Sequence, residues 1–354
     1  MKKKLPVFYK IYFTVLALLL VAAGAGLFWL RGFLADYEAA QPKHAADAIY
    51  AQYYASGDFA ELAKKCAGDD PFLSPDALAT YLTEACAGKE LSWSSGTATD
   101  GQPTYVVKAG DVKISSFTLR QKEEPGARFA RYEADTFTCF YQTDTAAVVA
   151  PAGYTVSVNG IDLSKKYITE KDLPGEGDHL LPEGVAGVKY NRYEVTILSG
   201  APIVTTASSP EGVPAPIAYD ETEQVWKASP LFDDSLEAEH AAFTIEAVEA
   251  YARYMSADAS FGAISGYFDP DSALYEDVRD TITYFVIDHD SVDFENAAAS
   301  EFYGYSDDVF SCHVTLTQVL TQGTNQFRDY FDYTLFFRYT DTDEWKICGM
   351  INRA

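Results

Sequence analysis

The chain of 354 residues lacks the sequence signatures of the common enzyme classes. It contains no G-x-x-x-x-G-K-[ST] phosphate loop, no H-E-x-x-H zinc helix, no G-x-S-x-G nucleophile elbow and no S-x-x-K pair. Its five cysteines show no C-x-x-C spacing, which gives no support to a structural zinc site or a thioredoxin-like centre. At most two intramolecular disulfides can form. We expect Cys66 and Cys86, on neighbouring predicted helices, to be the first pair.

Positive charge is also scarce, with 27 Lys and Arg against 52 Asp and Glu and a net charge of -25. Lys2, Lys3, Lys4, Lys10 and Arg31 are the only charged residues through position 31, so the rest of the chain carries a net charge of -30. Such a field repels nucleic acid and anionic polymers and favours cations or basic partners. We therefore expect no nucleic-acid partner, although solubility alone also explains an acidic surface.

Only one long apolar run is present, Ile11 to Leu30, and its 20 residues match the ~20 needed to cross a membrane as a helix. The lysines before it predict a cytoplasmic tail over residues 1–10, a transmembrane helix over 11–31 and an extracellular remainder. The alternative is a cleaved signal peptide, because Ala23-Gly24-Ala25 has the spacing of a cleavage site. The apolar run is longer than the ~7–15 residues of a signal-peptide core, which favours the membrane anchor.

The residues after the apolar run contain two regions with helical spacing and three regions with the alternation of strands. Residues 40–146 begin with two helical patterns, the second of which opens at the cap Ser74-Pro75-Asp76, and end in alternating strands. Residues 238–354 repeat that order, and their second predicted helix carries Leu274, Val278, Ile282 and Phe285 on one face. Residues 147–232 between them have many turn signals and no helical period, which predicts a β-sandwich. The fold class is therefore α+β: an N-terminal transmembrane helix, then two α+β cone-like domains separated by a small all-β sandwich domain.

The stretch "GYTVSVNGIDL" marks the start of the predicted sandwich. Asn159-Gly160 is a type I′ turn pair, which sets Val158 opposite Ile161 and Val156 opposite Leu163. One face of this hairpin then collects apolar side chains, so we expect it to be buried.

Helices followed by long aromatic strands such as "FRDYFDYTLFFRYTDTDEWKICGMIN" resemble the nuclear transport factor 2-like, or cystatin-like cone, fold. With "APAGYTVSVNGIDLSKKYIT" and "YEVTILSGAPIVTTAS", the chain is similar in architecture to the teicoplanin-resistance-associated membrane proteins of Gram-positive bacteria. The resemblance implies a single-pass protein with envelope-side domains that bind or sense wall components. The chain lacks the N-terminal zinc-ribbon cysteines of that group, so only the general architecture carries over.

Two sets of side chains are candidates for a site. Several aromatic residues would line a ligand pocket in the C-terminal cone, although such residues more often form core: Tyr251, Tyr254, Tyr303, Tyr305, Tyr333 and Phe337. An acidic cluster would offer an acid–base pair or oxygen ligands for Ca²⁺, although it more often is a solvated turn: Asp288, His289, Asp290 and Asp293. Neither set contains a catalytic motif, and no cofactor other than this Ca²⁺ is predicted.

Two further histidines, His179 and His313, are weaker candidates for a functional site. His313 alternates with Ser311, Thr315 and Thr317, so it should point away from the apolar face of its strand. His179 lies beside Asp178 in the turn-rich loop "PGEGDHLLPEG", where chance placement is the simpler explanation.

The sequence favours a non-enzymatic envelope protein that binds or senses an unidentified ligand or partner protein, anchored through Ile11 to Leu30. One alternative is an extracytoplasmic enzyme with an acid–base pair in the C-terminal cone pocket. Another is a structural subunit of a membrane complex.

Overall fold

The protein was analysed as a computed structural model, which describes residues 7–353 apart from 99, 124–125, 127 and 281–287. It is a mixed α+β chain with an N-terminal apolar helix and several sheets. Two compact units are present: Met1–Thr145 with Thr196–Pro202, and Ala146–Val195 with Ile203–Ala354. The three-part division of residues 40–354 stays a prediction.

The first helix, α1, spans Val7–Ala39 and is long and apolar enough to cross a membrane. At 1.5 Å per residue its 33 residues extend for about 50 Å, which exceeds a hydrocarbon core of about 30 Å. This length is consistent with single-pass membrane anchoring. The helix does not stop where the apolar run stops, but continues from Arg31 to Ala39. The side on which each end lies stays a prediction.

The rest of the first unit places short helices against one antiparallel sheet. Ser74 caps the third of these helices by accepting a hydrogen bond from the Ala77 N–H, and Pro75 occupies its first turn, as the sequence predicts. The sheet follows chain order, β1-β2-β3-β4. The elements are α2 Pro42–Tyr53, α3 Ala60–Cys66, α4 Pro75–Cys86, β1 Leu91–Ser95, β2 Thr104–Ala109, β3 Val112–Lys122 and β4 Arg131–Cys139.

The disulfide of this unit joins Cys66 to Cys139, so the expected Cys66–Cys86 pair is wrong. Cys66 is the last residue of α3 and Cys139 the last of β4, and their Cα atoms lie 5.7 Å apart. Cys86 instead ends α4 with its thiol free and buried in the core. The location of two cysteines on neighbouring helices therefore does not predict a disulfide between them. The pairing depends instead on which strand packs against α3.

Residues 143–228 form two sheets, most of whose residues belong to the second unit. Their strand orders are β11-β10-β6-β7 and β12-β13-β5-β9-β8, with β13 parallel to β5. The elements are β5 Thr143–Pro151, β6 Thr155–Val158, β7 Ile161–Asp162, β8 Ile168–Pro174, β9 Lys189–Leu198, β10 Thr205–Ser208, β11 Pro214–Ala215, β12 Ile217–Asp220 and β13 Val225–Ala228.

The predicted hairpin is confirmed. Asn159 and Gly160 have φ of 51° and 77°, as a type I′ turn requires, and Val158 pairs with Ile161. The Leu163 N–H donates to the Val156 carbonyl, and Val156 and Val158 are buried.

The C-terminal part of this unit places helices on one face of a long four-stranded antiparallel sheet, β14-β15-β16-β17. Asp233 caps the first helix by accepting from the N–H groups of Ser235 and Leu236. Of the residues predicted for the following helix, Ile282 and Phe285 lie outside the described residues. The elements are α5 Asp234–Met255, α6 Phe261–Ile264, α7 Ala273–Asp280, β14 Ser291–Ser306, β15 Val309–Gln322, β16 Asn325–Tyr339 and β17 Trp345–Asn352.

Irregularities in β14 bend this sheet. The register between β14 and β15 shifts three times, and Asn296 and Glu301, beside two of the shifts, have positive φ. Such bulges bend a strand and increase its twist. The bulges also shift the alternation of β14, so Phe302 and Gly304 face the helices, and Tyr303 and Tyr305 lie on the face that the helices leave free.

Loss of the Cys66–Cys139 bond should lower the stability of the protein. We expect the double variant Cys66→Ser/Cys139→Ser to lose about 2–5 kcal/mol of unfolding free energy in a urea titration, because the bond closes a long loop in the unfolded chain. Cys86→Ala is the control, since it leaves the bond intact. Non-reducing peptide mapping should recover the 66–139 pair, and recovery of a 66–86 pair would contradict the structure.

Candidate functional site

The helix-facing side of the C-terminal sheet is filled by side chains. Phe310 and Phe337 are buried there in a cluster with Ala247, Ala252 and other apolar residues. Four of the six aromatic pocket candidates belong to this cluster or pack against it: Tyr251, Tyr254, Tyr333 and Phe337. These four residues therefore contribute to the core that joins helices and sheet.

The tyrosines of this core are held by specific contacts. The Tyr251 ring makes edge contacts with Phe268, Phe331 and Tyr333 at centroid distances of 6.0–6.5 Å. Burial raises the pKa of Tyr251 to about 12, so it stays neutral. The Tyr254 hydroxyl donates to the Val278 carbonyl at 2.9 Å.

Two ionisable side chains are buried beside this core. His240 stacks on Phe310 with centroids 4.7 Å apart, and burial lowers the pKa of its imidazole. Asp269 accepts a charge-assisted hydrogen bond from Arg338 at 2.9 Å and a second bond from the Asp271 N–H at 3.1 Å. Each of the two groups is thus engaged in packing or in an ion pair. A catalytic acid–base pair in the cone stays a hypothesis.

The opposite face of the same sheet carries the side chains of the candidate site. His313 points to this face, as its alternation predicts, together with Ser311 on the same strand and Thr334 and Phe336 on β16. Tyr303 and Tyr305 join them from β14, with their rings edge to face and 5.0 Å apart. The structure therefore separates the six aromatic candidates into four core residues and these two. We call this surface the outer face.

A loop of residues 175–181 from the preceding part of the unit covers the centre of the outer face. It contains a 3-10 turn, Asp178–Leu180. Gly177 lies against Phe336 so closely that a Cβ atom at residue 177 would overlap the phenyl ring. Leu180 lies against Gly349, where a Cβ atom would come within 2.7 Å of the Leu180 Cβ. Because this loop covers it, Phe336 is only 2% exposed.

Beside this contact, a cavity of about 900 Å³ lies between the outer face and the β-strands of residues 149–230. Its aromatic wall is formed by Tyr190, Tyr303 and Tyr305, with Phe336 6.2 Å from the Tyr305 ring. Burial raises the pKa of all three tyrosines, so their hydroxyls stay protonated at neutral pH. The Tyr305 hydroxyl is also hydrogen-bonded to Ser311 at 3.3 Å.

The cavity walls carry more negative than positive charge. Six carboxylates line it with three cations and His313: Glu170, Glu176, Asp178, Asp220, Glu223 and Glu301 against Arg192, Lys227 and Arg353. Ion pairs engage the cations, with Lys227 2.9 Å from Asp220 and Arg353 3.2 Å from Glu301. Among the residues that the structure describes, Glu176 has no ion-pair partner. The excess of carboxylates gives the cavity a negative potential.

His313 is held at one edge of this cavity. Its Nε2 atom is 2.8 Å from the Asp332 carboxylate, and its Nδ1 atom is 4.0 Å from Glu301. These contacts fix the orientation of the ring. They also surround the imidazole with two acids, which extends the negative wall.

The predicted acidic cluster is not part of this cavity. Asp288 and Asp293 are exposed, and Asp290 accepts a hydrogen bond from the Gly323 N–H at 2.8 Å. His289 is paired with Asp258 at 2.8 Å. Across the described part of the chain, no group of three or more His, Cys, Asp or Glu is placed to hold a metal ion. The Ca²⁺ interpretation therefore stays a prediction.

The sequence did not predict the wall of the cavity that lies opposite the C-terminal sheet. His179, a candidate from the sequence, is exposed, whereas Gly177 and Leu180 in the same loop contact the outer face. Tyr190 was missed as well. The available signal was the pair of glycines in "PGEGDHLL", which allows close approach of a backbone to another surface.

Comparisons with known proteins leave the family open. No protein-family model matches the chain, and no curated protein matches it either. One solved structure, described as "Ntf2 like protein involved in plasmid conjugation", matches 84% of this chain and 87% of its own at 11% identity and a TM-score of 0.23. A likeness of this size carries no argument about the fold or function of the chain.

The contact of Gly177 with Phe336 predicts a cost for any side chain at residue 177. Gly177→Ala should lower the unfolding free energy by about 1–3 kcal/mol, because the new methyl group overpacks a filled contact. Gly266→Ala, where no atom lies within 4 Å of the new Cβ, is the control. Equal urea midpoints for the two variants would show that the loop does not pack on the outer face.

The buried His240 predicts a dependence of stability on pH. Because its pKa is lowered in the folded state, the unfolded chain binds the proton more readily, and stability is lost as pH falls below about 6.5. His240→Phe keeps an aromatic ring against Phe310 and should reduce the loss of stability between pH 7 and pH 5. The exposed His44→Phe is the control and should leave the loss unchanged. A His240→Phe variant with the wild-type pH profile would contradict this assignment.

Proposed function

We propose that this chain is a membrane-anchored, envelope-side binding protein whose ligand enters the cavity between the outer face and the β-strands of residues 149–230. The observation that carries the proposal is the cavity itself, with its tyrosine wall and its excess of carboxylates. Its volume of about 900 Å³ falls within the range of about 300–1,000 Å³ typical of ligand pockets.

The proposal includes a topology. Helix α1 spans the membrane, the N-terminus is cytoplasmic and the rest of the chain is extracellular, as the lysines before the apolar run favour. It also includes the architecture of two cone-like domains separated by a β-sandwich, in the manner of the teicoplanin-resistance-associated group. The helices that precede a curved antiparallel sheet in residues 42–139 and again in 234–352 support this architecture.

The chemistry of the walls favours a cationic ligand. A positive group gains from the carboxylates, and it gains again from the faces of Tyr303 and Tyr305 through cation–π attraction. Glu176, which lacks an ion-pair partner among the described residues, would supply a counter-charge without breaking an existing pair. An anionic ligand would meet like charge on most of the wall. We therefore propose an amine-bearing or guanidinium-bearing ligand, such as a basic peptide.

The full-length protein in nanodiscs should bind a hexa-lysine peptide and not a hexa-glutamate peptide. We expect Tyr305→Ala to weaken hexa-lysine binding about tenfold, since a desolvated cation–π contact contributes up to about 2 kcal/mol and 1.4 kcal/mol corresponds to tenfold. Calorimetric titration measures both constants.

Tyr330→Ala is the matched control, because Tyr330 is exposed on the same sheet and does not line the cavity. Equal effects of the Tyr305 and Tyr330 substitutions, or equal binding of the two peptides, would contradict the proposed site.

A further inference from the structure

His313 brings an imidazole group into the wall of the cavity. Among the residues that the structure describes, it is the only histidine that lines this space. Histidine is the side chain that ordinarily gains or loses its proton between pH 5 and 8. The His313 side chain is 20% exposed, so protons from the solvent reach it. The charge of the wall therefore depends on whether this one group carries a proton.

The charged groups around the imidazole come from three elements. Asp332 on β16 lies 2.8 Å from Nε2, and Glu301 on β14 lies 4.0 Å from Nδ1. Arg353, which follows β17, lies 3.2 Å from Glu301, and its backbone N–H donates to the Asp332 carbonyl. Strand β15 itself carries no other acidic or basic residue. A protonated His313 thus neutralises Asp332, whereas a neutral His313 leaves one more negative charge uncompensated.

The remaining charged groups line the cavity from the covering loop and from the β-strands. They are Glu170, Glu176, Asp178, Arg192, Asp220, Glu223 and Lys227. Arg192 and Lys227 are paired with acids of this set, at 3.7 Å from Glu170 and 2.9 Å from Asp220. The wall opposite His313 is therefore negative as well, and no cation on it takes over the role of the imidazole.

The imidazole also lies close to the tyrosine wall. Ser311 is two residues before His313 on the same face of β15, which places the two residues about 7 Å apart. Ser311 pairs in register with Tyr303 and is hydrogen-bonded to the Tyr305 hydroxyl at 3.3 Å. This separation is within the Debye length of about 8 Å at physiological salt. A cation beside the tyrosines therefore experiences the charge of His313.

We propose that protonation of His313 opposes ligand binding, so that the cavity binds its cationic ligand at neutral or higher pH and releases it as the pH falls towards 5. The protonated imidazole adds one positive charge to the wall and neutralises a carboxylate that attracts the ligand. Proton and ligand are then linked, because each lowers the affinity of the site for the other by the same factor. This inference rests on the proposed function and names the regulation of the same site.

Calorimetric titration of the full-length protein with hexa-lysine at pH 8 and pH 5.5 tests this linkage. Nanodiscs of phosphatidylcholine are used, because they carry no net charge. The lysines of the peptide stay charged throughout this interval, and carboxyl groups ordinarily titrate below it. We expect binding to be about three- to tenfold weaker at pH 5.5, as one added charge at about 7 Å in a partly solvated site predicts.

His313→Gln should remove most of the difference between the two pH values. His179→Gln is the matched control and should retain the difference, because His179 is exposed on the covering loop and does not line the cavity. Near-UV circular dichroism at pH 5.5 checks that each protein remains folded.

Proton release gives a second measurement that needs no variant. Titrations at pH 6.5 in buffers of different ionisation enthalpy count the protons that leave the protein on binding. The wild-type protein should release a fraction of a proton for each bound peptide, because the ligand lowers the affinity of His313 for its proton.

The outcomes separate this inference from the proposed site. Equal hexa-lysine binding at the two pH values, or a pH dependence that persists in His313→Gln, would overturn the inference and leave the site in place. Failure of hexa-lysine to bind at both pH values would contradict the proposed function and the inference with it.

Discussion

The packing of Gly177 and Leu180 against Phe336 and Gly349 is the contact on which the site depends. A four-stranded sheet with helices on one face normally leaves its other face in water, and that face carries polar residues. Here the loop covers the centre of the outer face, so the polar residues around it lie in a cavity instead of on a surface. The tyrosines, His313 and the carboxylates acquire a common enclosed space through this contact.

Enclosure changes what those side chains do. The pairs Lys227–Asp220 and Arg353–Glu301 remain partly exposed at the edge of the cavity, so screening limits what each contributes. A ligand that displaces water from the cavity would reduce this screening. The tyrosine rings limit the polarity of the wall. The cavity wall therefore carries an excess of negative charge, while most of its own cations are already paired.

The sequence predicted the parts of this structure that local patterns determine. The type I′ turn at Asn159-Gly160, the cap at Ser74 and the outward direction of His313 follow from propensity and alternation, and each is confirmed. Long-range packing was beyond such patterns. The Cys66–Cys139 bond depends on which strand α3 covers, and the assignment of Tyr303 and Tyr305 to the outer face depends on bulges in β14. The packing of Gly177 on the outer face could not be predicted either, because a glycine in the sequence does not indicate which surface it approaches.

The central claim is that the outer face is covered, and hydroxyl-radical footprinting of the full-length protein in nanodiscs tests it directly. Phe336 and Tyr330 lie on the same strand, and the structure leaves them 2% and 56% exposed. We predict that Phe336 is oxidised as slowly as Phe337, which the helices bury, and far more slowly than Tyr330 after correction for intrinsic reactivity. Oxidation of Phe336 at the rate of Tyr330 would show an open outer face and would contradict the cavity.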